Sequence, residues 1–259
     1  MVVPYIEESD FYNFSFQNRN ISRYQNIIYD TKKKFDLILF GSSMSASFNT
    51  KTINENSINL SAEGETIFSG IKIDEKTEIE GKSYLIEINA LYRSDENRLT
   101  DIILNPAKFL LRKHIKQFRE NYRPDDLLAS IIMRIEDKLN FKFYKNESKI
   151  LSERFQAFNN LNDSLLIIEN IRKLETFIKK KQNQNIILFE LPFDDNLEKS
   201  KKAVFIRRKI RDLASFYNIL FIEIPENMEF NTPDYIHMEL NSMREFESYL
   251  RSELIRITL

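Results

Sequence analysis

Apolar positions along this chain alternate between two patterns. Short unbroken apolar runs end at glycine, asparagine or proline, and longer segments between them carry apolar residues three or four apart. The clearest run is Asp36-Leu37-Ile38-Leu39-Phe40, which leads directly into Gly41-Ser42-Ser43-Met44-Ser45. Four consecutive apolar residues halted by a glycine and small polar residues describe a buried strand that turns sharply and opens a helix. A second, shorter strand is predicted at Ser57-Ile58-Asn59-Leu60, followed by Ser61–Thr66 and a helix through about Ile73. The run Tyr84-Leu85-Ile86-Glu87-Ile88 makes a third strand, ending at Asn89. Asn185–Leu191, stopped by Pro192, and Asn218–Ile224, stopped by Pro225, are the fourth and fifth. Between and after them the spacing predicts helices over 162–181, 196–217 and 239–256. In the first of these Leu165, Ile168, Ile171, Leu174 and Ile178 share a face.

Strands that alternate with helices, several with apolar residues on both faces, predict a parallel sheet covered by helices on each side. The fold class is therefore α/β. The expectation is one three-layer α/β/α sandwich domain over 1–259, with a flavodoxin-like, mainly parallel five-stranded sheet in the order 2-1-3-4-5. Two segments stand outside this rhythm. Residues 1–35, where Asn, Tyr and Phe interleave, read as an irregular arm with a short helix near Ile21–Tyr29. Residues 90–160 read as a helical insertion, a lid or partner surface, with helices over Lys108–Glu120 and Asp125–Leu139 introduced by Pro106 and Pro124. Lys179-Lys180-Lys181 closes a helix, where cations interact favourably with the dipole.

Composition narrows the chemistry. With 42% hydrophobic and 30% charged residues, 259 positions suffice for a full soluble core. A net charge of -1 gives no electrostatic case for nucleic acid. The chain has no cysteine, which excludes thiolate catalysis, thiolate metal ligation and disulfides. Two histidines, His114 and His237, are too few for a histidine-rich metal centre, so no metal and no cofactor is implied. No apolar run is long enough to span a bilayer, and Met1-Val2-Val3-Pro4 does not begin a signal peptide. A cytoplasmic location and one in the bacterial cell envelope both fit.

Two stretches offer chemistry. Ser43 stands at the carboxyl end of the first strand, where open α/β sheets place their ligands. The plainer reading of the same turn is a serine cap; it could instead cradle a phosphate at a helix N-terminus, though no Gly-rich loop with a following lysine supports a nucleotide site. Far along the chain, Thr232-Pro233-Asp234-Tyr235-Ile236-His237 follows the last strand. An Asp three residues before a His can hold the imidazole in one tautomer while the other ring nitrogen faces a nucleophile. The plainer alternative is a capping Asp beside a backbone-satisfied His. His114, in a basic helical stretch, reads as a surface residue.

Together these blocks resemble the SGNH/GDSL hydrolase superfamily, in a divergent Gly-Ser-Ser branch. Gly41-Ser42-Ser43-Met44-Ser45 stands where that family has its Gly-Asp-Ser-Leu turn, and Asn59-Leu60-Ser61-Ala62-Glu63-Gly64 resembles its second block. Asn89 resembles the asparagine of the third, and Asp234-Tyr235-Ile236-His237 the terminal Asp-x-x-His. The resemblance implies Ser43, Asp234 and His237 as catalytic residues. It implies the Ser43 N–H, the Gly64 N–H and the Asn89 amide as the oxyanion hole. Two departures are plain: Ser42 replaces the family's Asp, and Gly-x-Asn-Asp becomes Glu87-Ile88-Asn89-Ala90.

What the resemblance implies is a serine-dependent acyl esterase or O-acyltransferase acting on O-acetyl groups of a carbohydrate or cell-envelope polysaccharide. Its partners would be that carbohydrate or acyl-ester substrate and, for transfer, a membrane-associated acyl donor. The alternative expectation is a catalytically degenerate SGNH-like module that binds glycan or an assembly partner.

Overall fold

The structure, a computed structural model, describes residues 20–29, 33–77, 79–94, 98–119, 152, 155–225 and 228–258. The chain divides into two compact units, Met1–Lys32 with Asn97–Tyr144, and Lys33–Glu96 with Lys145–Leu259. The second holds a five-stranded sheet of β1 (Lys34–Phe40), β2 (Ser57–Asn59), β3 (Glu80–Glu87), β4 (Asn185–Phe189) and β5 (Leu220–Ile222). The order is β2-β1-β3-β4-β5, the flavodoxin-like one expected, and every pairing is parallel, as the alternation of strands and helices predicts.

β1 lies inside the sheet, between β2 and β3, because its apolar run leaves no polar face to solvent. Leu37 and Leu39 on one side and Ile38 and Phe40 on the other are all buried. The even side is covered by α3 (Ile67–Thr77) and α6 (Ser164–Lys180). There the Phe40 and Tyr84 rings stack at 5.6 Å while Phe177 meets both edge-on at 5.5 Å. α3 lies close enough to the sheet that a Cβ at Gly70 would come within 2.8 Å of the Leu60 carbonyl and the Phe40 ring. The odd side packs Leu39, Leu85 and Phe189 against Phe48, which precedes the short α2 (Thr50–Ile53), and against Met243, Phe246 and Leu250 of α9 (Leu240–Thr258). α8 (Lys201–Tyr217) follows α7 (Asp195–Glu198), begins at a Ser200 cap and ends on Asn218 in the left-handed conformation. Its Tyr217 hydroxyl donates to Glu175 of α6 at 2.6 Å.

The other unit contains α1 (20–29), α4 (Arg98–Ile103) and α5 (Pro106–His114). Pro106 does start a helix, capped by the Asn105 side chain, but the helix stops at His114 and a short 3₁₀ turn at Lys116–Phe118 replaces its expected continuation. His114 is exposed. Within this unit Tyr29 packs on Phe109, with the Arg119 guanidinium 4.7 Å above its ring. The helix expected at Asp125–Leu139 and most of the expected arm lie outside the described residues. Among the described residues no helix is long and apolar enough to cross a membrane.

Candidate active site

The carboxyl ends of β1, β3 and β4 and the loop before α9 converge on one cavity of about 230 Å³. Ser43, Asn89 and His237 line it, together with Met44, Tyr92, Arg93, Phe158, Phe193 and Ile236. Serine and histidine lie 194 positions apart in sequence, and Ser43 Oγ stands 3.0 Å from His237 Nε2. On the far side of the ring, Nδ1 is 2.7 Å from Asp234 Oδ2. The Asp234 and His237 side chains are 46% and 44% exposed, so the pair is open to an entering molecule.

Local backbone geometry makes this reach possible. Tyr235 adopts φ +69°, a left-handed conformation that costs a non-glycine residue roughly 1–2 kcal/mol. The bend curls the loop so that Asp234 Oδ1 accepts the N–H groups of His237, at 2.7 Å, and of Ile236, at 3.1 Å. The Tyr235 N–H donates to Thr232 O at 2.8 Å, and its carbonyl accepts the Asp194 N–H at 3.1 Å, which ties the loop to the end of β4. Partial burial opposes the charge of Asp234. The His237 ring and the two backbone N–H groups outweigh it and hold the carboxyl well below the usual carboxylate range. An ionised Asp234 only accepts, so the Nδ1 proton points to it and the Nε2 lone pair is left facing Ser43.

The turn bearing Ser43 is fixed from below. Glu87, the last residue of β3, is fully buried; its Oε2 accepts the Ser42 N–H at 2.9 Å and the Ser45 hydroxyl at 2.6 Å. Its Oε1 accepts the Ser42 hydroxyl at 2.6 Å. Gly41 is required here: an added Cβ would lie 1.8 Å from Ser45 Oγ and 2.6 Å from Glu87 Oε2. Asn59 closes the other side, its amide donating to the carbonyls of Ser45 and Phe48 and its oxygen accepting the Ser61 N–H.

Asn89 is held by a two-point contact with Leu191. Its Oδ1 accepts the Leu191 N–H at 2.7 Å, and its Nδ2 donates one proton to the Leu191 carbonyl at 2.8 Å. A backbone N–H must meet an oxygen, so the amide orientation is determined and one Nδ2 proton is left over. Gly64 is exposed, at φ +76°, and is not among the residues lining the cavity. Its carbonyl accepts a hydrogen bond at 2.8 Å from Arg93, which does line the cavity. The buried Asn170 of α6 holds that wall by donating to the carbonyls of Leu91 and Arg93, both at 2.9 Å.

The fold thus brings Ser43, Asp234, His237 and Asn89 to one place and leaves Gly64 at its margin. Sequence reasoning missed Glu87 as part of the site, and it missed the aromatic wall of Tyr92, Phe158 and Phe193. The available signal for Glu87 was a single charge inside an apolar strand run; the wall carries no local signal.

No protein-family model matches the chain, and no curated protein matches it. Among solved structures, the lipase/acylhydrolase from Enterococcus faecalis is 14% identical, with 86% of this chain and 95% of that one covered and a TM-score of 0.45. A candidate platelet activating factor from Streptococcus pneumonia is 12% identical, with 92% and 94% covered and a TM-score of 0.44.

Proposed function

We propose that this chain is an SGNH-type serine-dependent acyl esterase or O-acyltransferase. The observation that carries the reading is the hydrogen-bonded series Asp234–His237–Ser43, with contacts of 2.7 and 3.0 Å, beside an open cavity. A serine hydroxyl is a poor nucleophile until a base takes its proton. In this reading Ser43 Oγ attacks the ester carbonyl carbon as its proton passes to His237 Nε2. The ionised Asp234 stabilises the imidazolium. The tetrahedral intermediate collapses, the C–O bond to the alcohol breaks, and His237 returns the proton to the departing alkoxide. Water, or a sugar hydroxyl in transfer, then attacks the acyl-enzyme by the same route in reverse.

The developing oxyanion needs donors. The Ser43 N–H and the remaining Asn89 Nδ2 proton are two such donors; the resemblance also names the Gly64 N–H, but Gly64 stands outside the cavity lining. Each such donor is worth roughly 2.7–4 kcal/mol in the transition state. The substrate class, O-acetyl groups on a carbohydrate or cell-envelope polysaccharide, rests on the resemblance of the Gly-Ser-Ser turn. The competing reading of a non-catalytic glycan-binding module predicts that Ser43 and His237 point apart, and the 3.0 Å contact speaks against it.

The test is acetyl release from an activated acetyl ester, with and without acetylated and unacetylated glycans. Wild type is expected to release acetate and to react covalently with a fluorophosphonate, and Ser43→Ala to do neither while keeping its fold. Acetate release that survives Ser43→Ala would sink the assignment.

A further inference from the structure

The cavity beside Ser43 carries a guanidinium that the reaction as written does not use. We propose that Arg93 is a specificity-determining residue: at the mouth of the cavity it takes an oxyanion group, carboxylate or phosphate, on the alcohol part of the ester whose acyl group Ser43 attacks. The substrate class narrows to acyl esters of acidic alcohols, acidic sugars among them; this rests on the Ser43–His237 reading above.

Three features support this. First, among the described residues the lining holds Arg93 and no aspartate or glutamate; Asp234 and Glu87 both lie outside it. Second, the cation is left with donors to spare. Arg207, Arg211 and Arg256 each pair with a glutamate, whereas Arg93 meets no carboxylate among the described residues. Its Nη2 donates to Gly64 O at 2.8 Å. Whichever Nη2 proton that bond takes, one two-pronged edge of the five-donor fork remains, and such an edge matches the paired oxygens of a carboxylate or phosphate. Third, the residue is held before any ligand arrives. The Arg93 N–H donates to Ala90 O at 3.1 Å and its carbonyl accepts the Asn170 amide at 2.9 Å, which fixes it at the end of the turn that begins with Asn89. Its place decides which part of the ester it reads. Gly64 is exposed and outside the lining, so a guanidinium tied to its carbonyl stands at the mouth. The wall is aromatic: Phe158 packs between Tyr92 and Phe193, with ring centroids 4.9 and 5.9 Å apart. Apolar rings around about 230 Å³ suit a short acyl group and disfavour an anion, which leaves the charge to the alcohol part.

The test compares acetate release from para-acetoxybenzoate and para-acetoxyphenyl phosphate with release from the neutral methyl para-acetoxybenzoate. The neutral ester has the best leaving group of the three, so chemistry alone favours it. Wild type is expected to show a kcat/KM roughly tenfold or more higher for an anionic ester, and the favoured one identifies the oxyanion. Arg93→Gln should cut that anionic-to-neutral ratio by roughly tenfold or more, and Arg93→Lys, a point charge without the fork, should keep only part of it. If Arg93 merely held Gly64 in place, its loss would slow all three esters alike. A wild-type ratio near unity, or a ratio unmoved in folded Arg93→Gln, overturns the proposal. Should Arg93→Gln not fold, Arg93→Lys carries the test, and a ratio equal to that of wild type overturns it. Binding of the same esters to Ser43→Ala, followed by calorimetry, separates this from the esterase reading. Suppose wild type cleaves none of them. Tighter binding of an anionic ester, lost when Arg93→Gln is added to Ser43→Ala, would then leave Arg93 as an anion site and defeat the esterase reading. Equal binding, or none, would defeat the Arg93 assignment as well.

Discussion

Changing Asp234 to Asn alters one atom at the ring and almost nothing in the loop. The Asn oxygen can still accept the N–H groups of His237 and Ile236, which lie 2.7 and 3.1 Å from Asp234 Oδ1. The other carboxylate oxygen becomes an NH₂, a donor that faces Nδ1 across 2.7 Å. The imidazole answers by shedding its Nδ1 proton and carrying one on Nε2, toward Ser43 Oγ at 3.0 Å. A ring in that tautomer cannot take the serine proton. Shifting it back costs roughly one hydrogen bond, about 1 kcal/mol, and the imidazolium loses a charge-assisted partner worth about 1.5–3 kcal/mol. Because both side chains are nearly half exposed, solvent screens part of the second contribution. The sum, about 2.5–4 kcal/mol before screening, corresponds to a fall in kcat of roughly 10²-fold and at most 10³-fold, since each tenfold is about 1.36 kcal/mol. KM should stay within about twofold and thermal stability nearly unchanged, because the loop keeps its backbone bonds. Initial rates on p-nitrophenyl acetate, with Ser43→Ala as the background, measure both constants. An Asp234→Asn variant within about threefold of wild-type kcat, over an inactive Ser43→Ala, would refute the role given to this carboxylate.

Two further outcomes concern stability. Gly41→Ala should destabilise the fold by about 1–3 kcal/mol in urea melts, because the new methyl overlaps Ser45 Oγ, Glu87 Oε2 and Ser61 Oγ, which are hydrogen-bonded together; a loss under about 0.5 kcal/mol would mean that the turn can relax. Glu198, which accepts the Phe193 N–H at 3.2 Å, is raised by burial from 4.5 to about 7. Its native form then holds more protons than the unfolded chain between those values, so stability declines as pH rises through that window. Glu198→Gln keeps an acceptor for Phe193 and should flatten that decline; an unaltered pH profile of unfolding would discard this account.

The sequence by itself determined the elements and their order. Runs such as Leu37–Phe40 have no solvent-compatible face, so they had to lie inside a helix-covered parallel sheet, and the β2-β1-β3-β4-β5 order is the flavodoxin-like one expected of it. The two reactive stretches were also legible, because each is local: a glycine–serine turn closing a strand, and a carboxylate three residues before a histidine. Even so, their contact depends on a left-handed Tyr235 that no residue preference announces.

Helix faces were read less well. On α6 the apolar spacing pointed to Leu165, which is 79% exposed, while Asn170, Ile167 and Phe177 are buried. A polar residue whose amide serves the carbonyls of Leu91 and Arg93 breaks an apolar stripe, and only the partner chain segment reveals why. The same holds at the end of the helix. Lys179, Lys180 and Lys181, read as a terminal charge run, reach Glu175, Glu75 and Asp74 as ion pairs at 2.9, 2.6 and 2.9 Å. Glu87 is the sharpest case. In sequence it is a departure from a family block. In the fold it is a buried carboxylate joined to Ser42 and Ser45, more than forty positions earlier. Hydrophobic periodicity reports which face of a segment avoids water. Whether a buried polar group finds its partners depends on donors and acceptors brought from distant segments, and the tertiary structure alone supplied donors to Glu87 and Asn89 and carbonyl acceptors to Asn170.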